Sequence, residues 1–389
     1  MKSKISKQVL ILGMVSLFTD IASEMLYPIT PIFLTAVLGS SMAVVGVIEG
    51  IAEVTAGFLK GYFGNLSDKV GKRSIFVMIG YGISALAKPL PGIFQSVSIV
   101  LTSRVSDRVG KGIRTAPRDA LLASYSNGNS GAVFGFHRAM DTLGAAIGPV
   151  LALMLLHFFP DNFQLIFLIA FVPSVVAVLL TLLVKDKQNA VKVKSKKNHL
   201  EFWKSAPKEY KKILVLVTIF SFVNSSDVFL ILKSKDISNS STLAILGYVF
   251  YNLIYAASSY PLGGLSDKLG KQKVFSFGLI IFSAVYFGFA FLDNINLVWI
   301  LFAFYGIYAA STEGVSKAWV SDLILNEQRG SAIGLLTMLS SFAIMMGSFT
   351  TGVLWDQFGS SVPFLISAII SLVIGTLLII ENRIRKLRL

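Results

Sequence analysis

The chain has 389 residues, of which 54% are hydrophobic and only 14% charged, and its mean hydropathy is +0.71. Soluble domains carry about 25% charged residues, so a water-soluble globule, a disordered chain, a coiled coil and a collagen are excluded. The absence of cysteine excludes disulfides, thiolate metal sites and cysteine catalysis. The three histidines, His137, His157 and His199, are far apart, so neither a metal nor a cofactor is predicted.

Twelve apolar runs follow one another along the chain with short loops between them. A membrane-spanning helix needs about 20 apolar residues. The predicted spans are 8–35, 43–63, 74–95, 97–123, 131–157, 163–184, 211–232, 243–263, 274–292, 296–322, 330–355 and 361–381. The first run contains two acids and two prolines and lacks a cleavage site, so it is predicted to be a retained span and not a signal peptide. The predicted fold class is an all-α integral membrane protein.

The net charge of +14 could indicate a nucleic-acid partner, but the positions of the charges argue against one. Basic residues cluster at the chain start, between Lys185 and Lys212, and in the tail from Arg383. Lysines and arginines accumulate on the cytoplasmic side of membrane proteins. We therefore predict a multi-pass protein of a cell (plasma or inner) membrane with both termini in the cytoplasm. Lys233 and Lys235 are exceptions to this charge bias.

The chain contains an internal duplication. The segment GNLSDKVGKR, from Gly64 to Arg73, recurs as GGLSDKLGKQK from Gly263 to Lys273, which places Asp68 and Asp267 199 residues apart. The same offset relates three further glycine pairs, namely Gly131 with Gly330, Gly135 with Gly334, and Gly148 with Gly347. Two similar halves are therefore predicted. The first half covers 1–184, a basic cytoplasmic linker covers 185–210, and the second half covers 211–389.

The repeated segment resembles the loop motif G-x-L-[AS]-D-[RK]-x-G-[RK]-[RK] of the major facilitator superfamily. The first copy matches the motif throughout, whereas the second has Gln272 where the first has Arg73. The resemblance extends to the twelve spans and the central basic loop. It implies a secondary transporter of small molecules that works by alternating access, and we expect a monomer. It also implies that Asp68 contacts the inner end of span 11 near Arg329 and Gly330. The gating residues it implies are Gly64, Asp68, Gly71, Arg73, Asp267 and Gly270.

Span 4 carries a dense row of charges. At about 100° per residue, these side chains fall within an arc of about 120°, and lipid does not tolerate such a row, so it must face protein or water. Two of the cations near the inner end could instead snorkel to the membrane surface. The charged residues are Arg104, Asp107, Arg108, Lys111, Arg114 and Arg118, of which Arg114 and Arg118 are the two that could snorkel.

Span 1 supplies two acids, Asp20 and Glu24, which are four residues apart and share a helix face. If spans 1 and 4 are antiparallel neighbours, Asp20 lies at the same depth in the membrane as Arg108, and Glu24 lies at the same depth as Arg104. The two acids would then face the two arginines. A carboxylate beside an arginine stays ionised, but alone in a dry site it takes up a proton. Separating these pairs would therefore load a proton and reuniting them would release it. A static structural ion pair is the alternative.

The resemblance also implies a direction of transport and a class of substrate. Arg104-Val-Ser-Asp107-Arg108 resembles the span-4 motif R-x-x-Q-G of proton-coupled members of the family, with an additional cation that favours an anionic or zwitterionic substrate. In span 5, Gly144, Gly148 and Pro149 resemble the antiporter motif of the family, although its trailing glycines are missing. The predicted function is proton-coupled efflux of a small organic solute, with an anionic solute favoured. The alternative is an importer or exchanger of organic anions.

The remaining intramembrane charges are weaker candidates. The resemblance implies that spans 7 and 10 line the central cavity, so their polar residues are weaker substrate candidates, although Glu313 and Lys317 could simply pair with each other. These candidates are Asn224, Asp227, Glu313 and Lys317, together with Glu49 and Glu53 of span 2 and His137, Arg138 and Asp141 of span 5. No hydrolase, metalloprotease or P-loop motif is present, so an enzyme is not predicted.

Overall fold

The structure is a computed structural model that describes residues 5–40, 42–160, 162–187, 199–292 and 294–387. Within these residues there are twelve helices of at least 15 residues, which agrees with the number of predicted spans. They are α1 (Lys7–Leu26), α2 (Met42–Val70), α3 (Arg73–Ala87), α4 (Val97–Ser124), α5 (Ser130–Phe158), α6 (Phe163–Thr181), α7 (Lys208–Val223), α8 (Ser241–Leu269), α9 (Lys271–Phe291), α10 (Ile295–Leu323), α11 (Arg329–Phe358) and α12 (Ser361–Leu387).

Shorter elements extend several of these helices. A short helix (Ile29–Ile32) and a π-helical turn (Phe33–Val37) follow α1, and Leu90–Ile93 follows α3. The helix His199–Ser205 precedes α7, and the 3-10 turn Asn326–Gln328 precedes α11.

Span 7 is interrupted, and the prediction of one continuous helix over 211–232 is wrong. Helix α7 ends at Val223, and a second helix, Val228–Ser238, begins after Asp227. The interruption coincides with the sequence Asn-Ser-Ser-Asp. Side chains of these types hydrogen-bond to nearby backbone groups and so compete with the helical hydrogen bonds.

The outer surface of the helix bundle suits lipid. Eight of the helical segments in the described residues are long and apolar enough to cross a membrane. Helix α4 has the necessary length but is too rich in charged residues, and α7 ends at Val223. Large apolar side chains lie on the outside, among them Leu86, Phe158 and Phe349, which are 68%, 72% and 70% exposed. Apolar groups outside and charges inside are the arrangement expected of a multi-pass membrane protein.

Local sequence signals define where several helices begin and end. Serine hydroxyls accept the backbone N–H of the third residue on and cap three helices, α1 through Ser6, α4 through Ser96 and α8 through Ser240. The tight turns from α2 to α3 and from α8 to α9 contain Gly71 and Gly270, whose φ angles are +71° and +95°. Glycine adopts such angles without a steric penalty.

The two halves have matching internal packing. In the first half, α1 packs on α5, and α4 packs on both α2 and α3. In the second half, α7 packs on α11, and α10 packs on both α8 and α9, as the duplication requires. The halves meet along two helix pairs, α5 with α8 and α2 with α11.

Glycines permit both contacts between the halves. A Cβ added at Gly135 of α5 would lie 3.1 Å from the Cα of Gly263 in α8, and one added at Gly64 of α2 would lie 3.1 Å from the Cα of Gly334 in α11. These two contacts are related by the 199-residue offset. They lie toward the end of the bundle that carries Asp68 and Asp267, which we call the motif end.

Candidate functional site

A central cavity of about 410 Å³ lies between the two halves. Its lining includes six cationic side chains and four acidic ones, contributed by α1, α2, α4, α5 and α10. The cationic residues are Lys60, Lys111, Arg114, Arg118, Arg138 and Lys317, and the acidic residues are Asp20, Glu24, Asp141 and Glu313. The cavity is therefore polar and has an excess of positive charge.

The sequence candidates divide into two groups. Ten of the charged or polar candidates line the cavity, whereas five others are not among its lining residues. The ten are Asp20, Glu24, Lys111, Arg114, Arg118, Arg138, Asp141, Asn224, Glu313 and Lys317, and the five are Arg104, Asp107, Arg108, His137 and Asp227. The charged face of α4 is therefore divided, because only its last three members, Lys111, Arg114 and Arg118, line this cavity.

The glycines of α5 determine where the acids of α1 lie. A Cβ at Gly144 would come within 2.6 Å of the Leu17 carbonyl oxygen, and one at Gly148 would lie 2.9 Å from the Cβ of Glu24. Any larger residue at either position would push α1 away. The two glycines thus bring the backbone of α1 against α5 and place Asp20 and Glu24 at the cavity wall.

Asp20 of α1 and Asp141 of α5 form a pair of carboxyl groups. The two carboxyl groups lie close enough to act on each other. Asp141 also accepts hydrogen bonds from Ser16 (2.5 Å) and from the Arg138 guanidinium (2.7 Å). Two adjacent carboxylates in a buried site repel each other, and a proton on one of them removes this repulsion and can bridge the two groups. This pair can therefore hold one exchangeable proton.

The predicted register between α1 and α4 is wrong. The ion pairs of the described residues do not join Asp20 to Arg108 or Glu24 to Arg104. The cation that acts most strongly on Glu24 is Lys111, ahead of Arg108 and Arg104. The reason is that α1 packs mainly against α5 and α6. Equal depth in the membrane is therefore not enough to bring a residue of α1 into contact with one of α4.

Asp107 is bound inside the first half. Its carboxylate forms an ion pair with Lys88 at 3.0 Å, and the two residues are only 8% and 3% exposed. Lys88 lies directly after α3, against which α4 packs. Arg104 lies beside this pair at a smaller cavity, and the buried Nε of Arg108 has no hydrogen-bond partner among the described residues.

Arg114 and Arg118 do not snorkel to a membrane surface, since they are 4% and 9% exposed and line the cavity. Arg114 donates to the Ser84 hydroxyl at 2.5 Å, and its guanidinium lies 4.3 Å from the centre of the Tyr81 ring. Arg118 forms an ion pair with Asp119 at 3.0 Å.

Two ion pairs connect the halves at the cavity. Lys317 of α10 binds Asp119 of α4 at 2.6 Å, and Glu313 of α10 binds Arg138 of α5 at 2.5 Å. We call these two contacts the cross-half bridges. The expectation that Glu313 and Lys317 pair with each other is therefore wrong, because each finds its partner in the opposite half.

The first motif copy makes the predicted contact with α11. The Asp68 carboxylate accepts the backbone N–H groups of Gly330 (3.1 Å) and Ser331 (2.6 Å), and it pairs with Arg73 at 3.0 Å. The first N–H groups of a helix have no partner within the helix, and the helix dipole favours a negative charge there. Asp68 thus caps the N-terminus of a helix in the other half.

The second copy makes the equivalent contact in the opposite direction. Asp267 accepts the N–H groups of Gly131 (2.9 Å) and Ala132 (2.8 Å) at the start of α5. This contact could have been predicted, because the 199-residue offset relates Asp68 to Asp267 and Gly330 to Gly131. Gln272 stands where the first copy has Arg73 and carries no charge. Lys271 provides the cation instead, at 2.9 Å from Asp267.

Several residues of this site were missed at the level of sequence. Lys60 of α2 donates to the Ser341 hydroxyl of α11 at 2.8 Å, and Lys88 and Asp119 form the ion pairs described above. The signal for Lys60 and Lys88 was available, since both are cations inside predicted spans. The side chains of Glu49 and Glu53 lie outside the part of the chain that the structure describes.

Comparisons with known proteins agree with this architecture. The sequence profile of the Major Facilitator Superfamily matches residues 12–236 and 213–388. An uncharacterized MFS-type transporter of Methanocaldococcus jannaschii is 35% identical over 97% of this chain and 95% of its own length. Among solved structures, the human organic anion transporter MFSD10 (TETRAN) has a TM-score of 0.79 at 14% identity, covering 96% of this chain and 100% of that one. The transporter FucP in its outward conformation has a TM-score of 0.77 at 13% identity, covering 95% and 97%.

The chain therefore belongs to the major facilitator superfamily. It is a multi-pass membrane protein and a secondary transporter of small molecules, not an enzyme. The predicted family and the predicted fold, an all-α membrane protein of two similar halves, are confirmed.

Proposed function

We propose that this transporter is a proton-coupled antiporter that exports a small organic anion. The observation that supports the proposal most directly is the Asp20–Asp141 carboxyl pair, which lies in the wall of a cavity with more cations than acids. The acid pair provides a place for a proton, and the cations provide a place for the solute. Both sites share one cavity, so occupation of one can affect the other.

The coupling is electrostatic. Lys111 acts on Glu24, and Arg138 holds Asp141. An anion that binds these cations competes with the carboxylates for them and reduces the stabilisation of their charged form. The acids then take up protons, because an ionised carboxylate in a poorly hydrated site is costly without a cation. Arg104 and Arg108 contribute to the same balance from a greater distance, through Glu24.

The gate in this proposal is the motif end. We place this end in the cytoplasm because its loops are rich in lysine and arginine. Asp68 and Asp267 then close the cytoplasmic side by capping helices of the opposite half. Release of these caps and of the cross-half bridges would open the cavity to the cytoplasm. Two halves that rock about a central site are the usual basis of alternating access.

The direction of transport is proposed from α5. Its glycines resemble the antiporter motif, and in the structure they hold the acids of α1 against α5. The similarity to the human organic anion transporter is one of fold, at 14% identity, so the proposed anion rests on the charge of the cavity itself. An importer or exchanger of organic anions is the second candidate, since the same excess of cations would serve it.

The test begins with purified protein and a thermal-shift screen of small organic anions, cations and neutral solutes. The ligand that stabilises the protein is then loaded into proteoliposomes, and a pH gradient is imposed. The antiport proposal predicts that solute moves against the direction of the protons. Glu24→Gln and Asp20→Asn should each abolish the response to the gradient.

A control variant is Asp186→Asn, which removes an acid outside the cavity. It should transport like the unmodified protein. Solute movement in the same direction as the protons would favour the importer, and unchanged coupling in both acid variants would overturn the proposed role of α1.

A further inference from the structure

Asp227 occupies a second acidic site, away from the cavity and in the other half of the protein. It lies at the break between α7 and the helix Val228–Ser238. Its carboxylate accepts a hydrogen bond from the Tyr305 hydroxyl at 2.7 Å and interacts with the Tyr251 hydroxyl. Among the described residues, no lysine or arginine forms an ion pair with it.

The surroundings of Asp227 are aromatic. The rings of Tyr251 and Tyr305 are 4.9 Å apart, and those of Tyr286 and Tyr305 are 6.3 Å apart. These tyrosines are at most 4% exposed. The other titratable groups that act on Asp227 are phenols and one distant acid. They are Tyr248 and Tyr251 of α8, Tyr286 of α9, and Tyr305, Tyr308 and Glu313 of α10.

Two rows of tyrosines lead from the cavity to this acid. On α8, Tyr255 lines the cavity, and its ring stacks at 5.9 Å on that of Tyr251, one turn away. On α10, Tyr308 lines the cavity, and its ring lies 5.1 Å from that of Tyr305. In both helices, the tyrosine that reaches Asp227 lies one turn before the tyrosine that lines the cavity, on the same face of the helix.

The packing limits what can travel along these rows. The tyrosines between the cavity and Asp227 are buried, and their rings pack on one another. A proton can pass between hydroxyl groups, since a phenol both donates and accepts a hydrogen bond.

We propose that Asp227 is a second proton-binding group, which exchanges its proton with the central cavity through the hydroxyls of the two tyrosine rows. A carboxylate without a cation in a low-dielectric site is readily neutralised by a proton. Each half of the molecule then holds one proton site, Asp20–Asp141 in the first and Asp227 in the second. This role in coupling rests on the proposed proton antiport, whereas the binding of the proton itself does not.

The test is an infrared titration of the purified full chain in lipid, which needs no substrate. The C=O stretch of a protonated carboxyl group is followed as pH is varied, in sodium buffer and in potassium buffer. Asp227→Asn should remove one titrating band, the same in both buffers. Asp119→Asn is the matched control and should remove none, because Arg118 and Lys317 keep Asp119 ionised.

A second variant keeps the acid and changes its environment. Tyr305→Phe removes the donor to the Asp227 carboxylate and leaves the ring, so the midpoint of this band should move upward by about one pH unit, which corresponds to about 1.4 kcal/mol. An unchanged set of bands in Asp227→Asn, or a band that follows sodium and not pH, would overturn the proposal. Such a failure would leave the Asp20–Asp141 site and the antiport proposal standing, since these are tested by transport.

Discussion

At the scale of single residues, Asp107 shows how a charge inside the membrane is held. It belongs to the charged face of α4, yet its partner is Lys88, which follows α3. Both are buried, so the pair gives up the hydration of two charges and recovers part of it through one close contact. Such a pair positions helices well but tolerates the loss of one partner poorly.

Replacing Lys88 by Met should therefore destabilise the protein by about 3–5 kcal/mol, because Asp107 would remain charged and buried without its cation. The measurement is thermal unfolding of the purified protein in detergent. The double variant Lys88→Met with Asp107→Leu removes both charges and should recover most of the loss. A single variant as stable as the unmodified protein would show that Asp107 has another adequate partner.

At the scale of helices, the contact between α1 and α5 connects packing with function. Gly144 and Gly148 leave no room for a side chain between the two helices. Small residues at helix contacts in membranes allow close backbone approach, and close approach gives the packing that holds the helices together. Here the same contact fixes the positions of Asp20 and Glu24.

Gly148→Ala should cost about 1–3 kcal/mol, because the added methyl group would lie 2.7 Å from the Ile21 carbonyl oxygen and force the helices apart. Gly82 of α3 is the matched control, since a Cβ there meets no atom within 4 Å. Gly82→Ala should be neutral or stabilising by up to about 1 kcal/mol, as alanine is the better helix former. Thermal unfolding of both variants checks the contrast, and equal effects would contradict the packing argument.

At the scale of the whole molecule, the motif end is held by contacts that repeat across the two halves. Asp68 reaches from the first half to α11, and Asp267 reaches from the second half to α5. The cross-half bridges add a buried layer next to the cavity. All of these contacts must be released for the halves to separate there, so in the proposed mechanism they act together as one gate.

Asp68→Asn should shift the population toward states in which the motif end is open, since it removes a charge that binds the N-terminus of α11 and Arg73. The chain has no cysteine, so spin labels can be attached at Asn127→Cys and Leu325→Cys, one in each half, without removing native thiols. The distance distribution between the labels should gain a longer component.

The control for this measurement is Asp186→Asn. It removes an equal charge at the same end, but Asp186, at the start of the linker, accepts hydrogen bonds from Arg73 and Ser74 of the first half and does not join the two halves. Its distance distribution should match that of the unmodified protein. If both variants widened the distribution equally, the effect would be one of general charge and not of the gate.

The parts of the site that were predictable from sequence are those set by local pattern or by the repeat. The Asp68 contact followed from the motif, and the cavity position of Glu24 followed from an acid inside a span. The partner of Asp107 was not predictable, because several cations at similar depth compete for one carboxylate and only packing decides among them. For the same reason, Glu313 and Lys317 form ion pairs with residues of the first half and not with each other, although they are one turn apart.

The amino-acid sequence by itself determined that this protein is a twelve-helix membrane protein of two related halves, because hydropathy, helix length and a repeated motif are properties of the chain alone. The tertiary structure decided which charges meet: Lys111 ahead of Arg104 at Glu24, Asp20 beside Asp141, and Asp227 behind tyrosines. The physical reason is that a residue's depth in the membrane follows from its position in the sequence, whereas its neighbours depend on how each helix is rotated and which helix packs beside it.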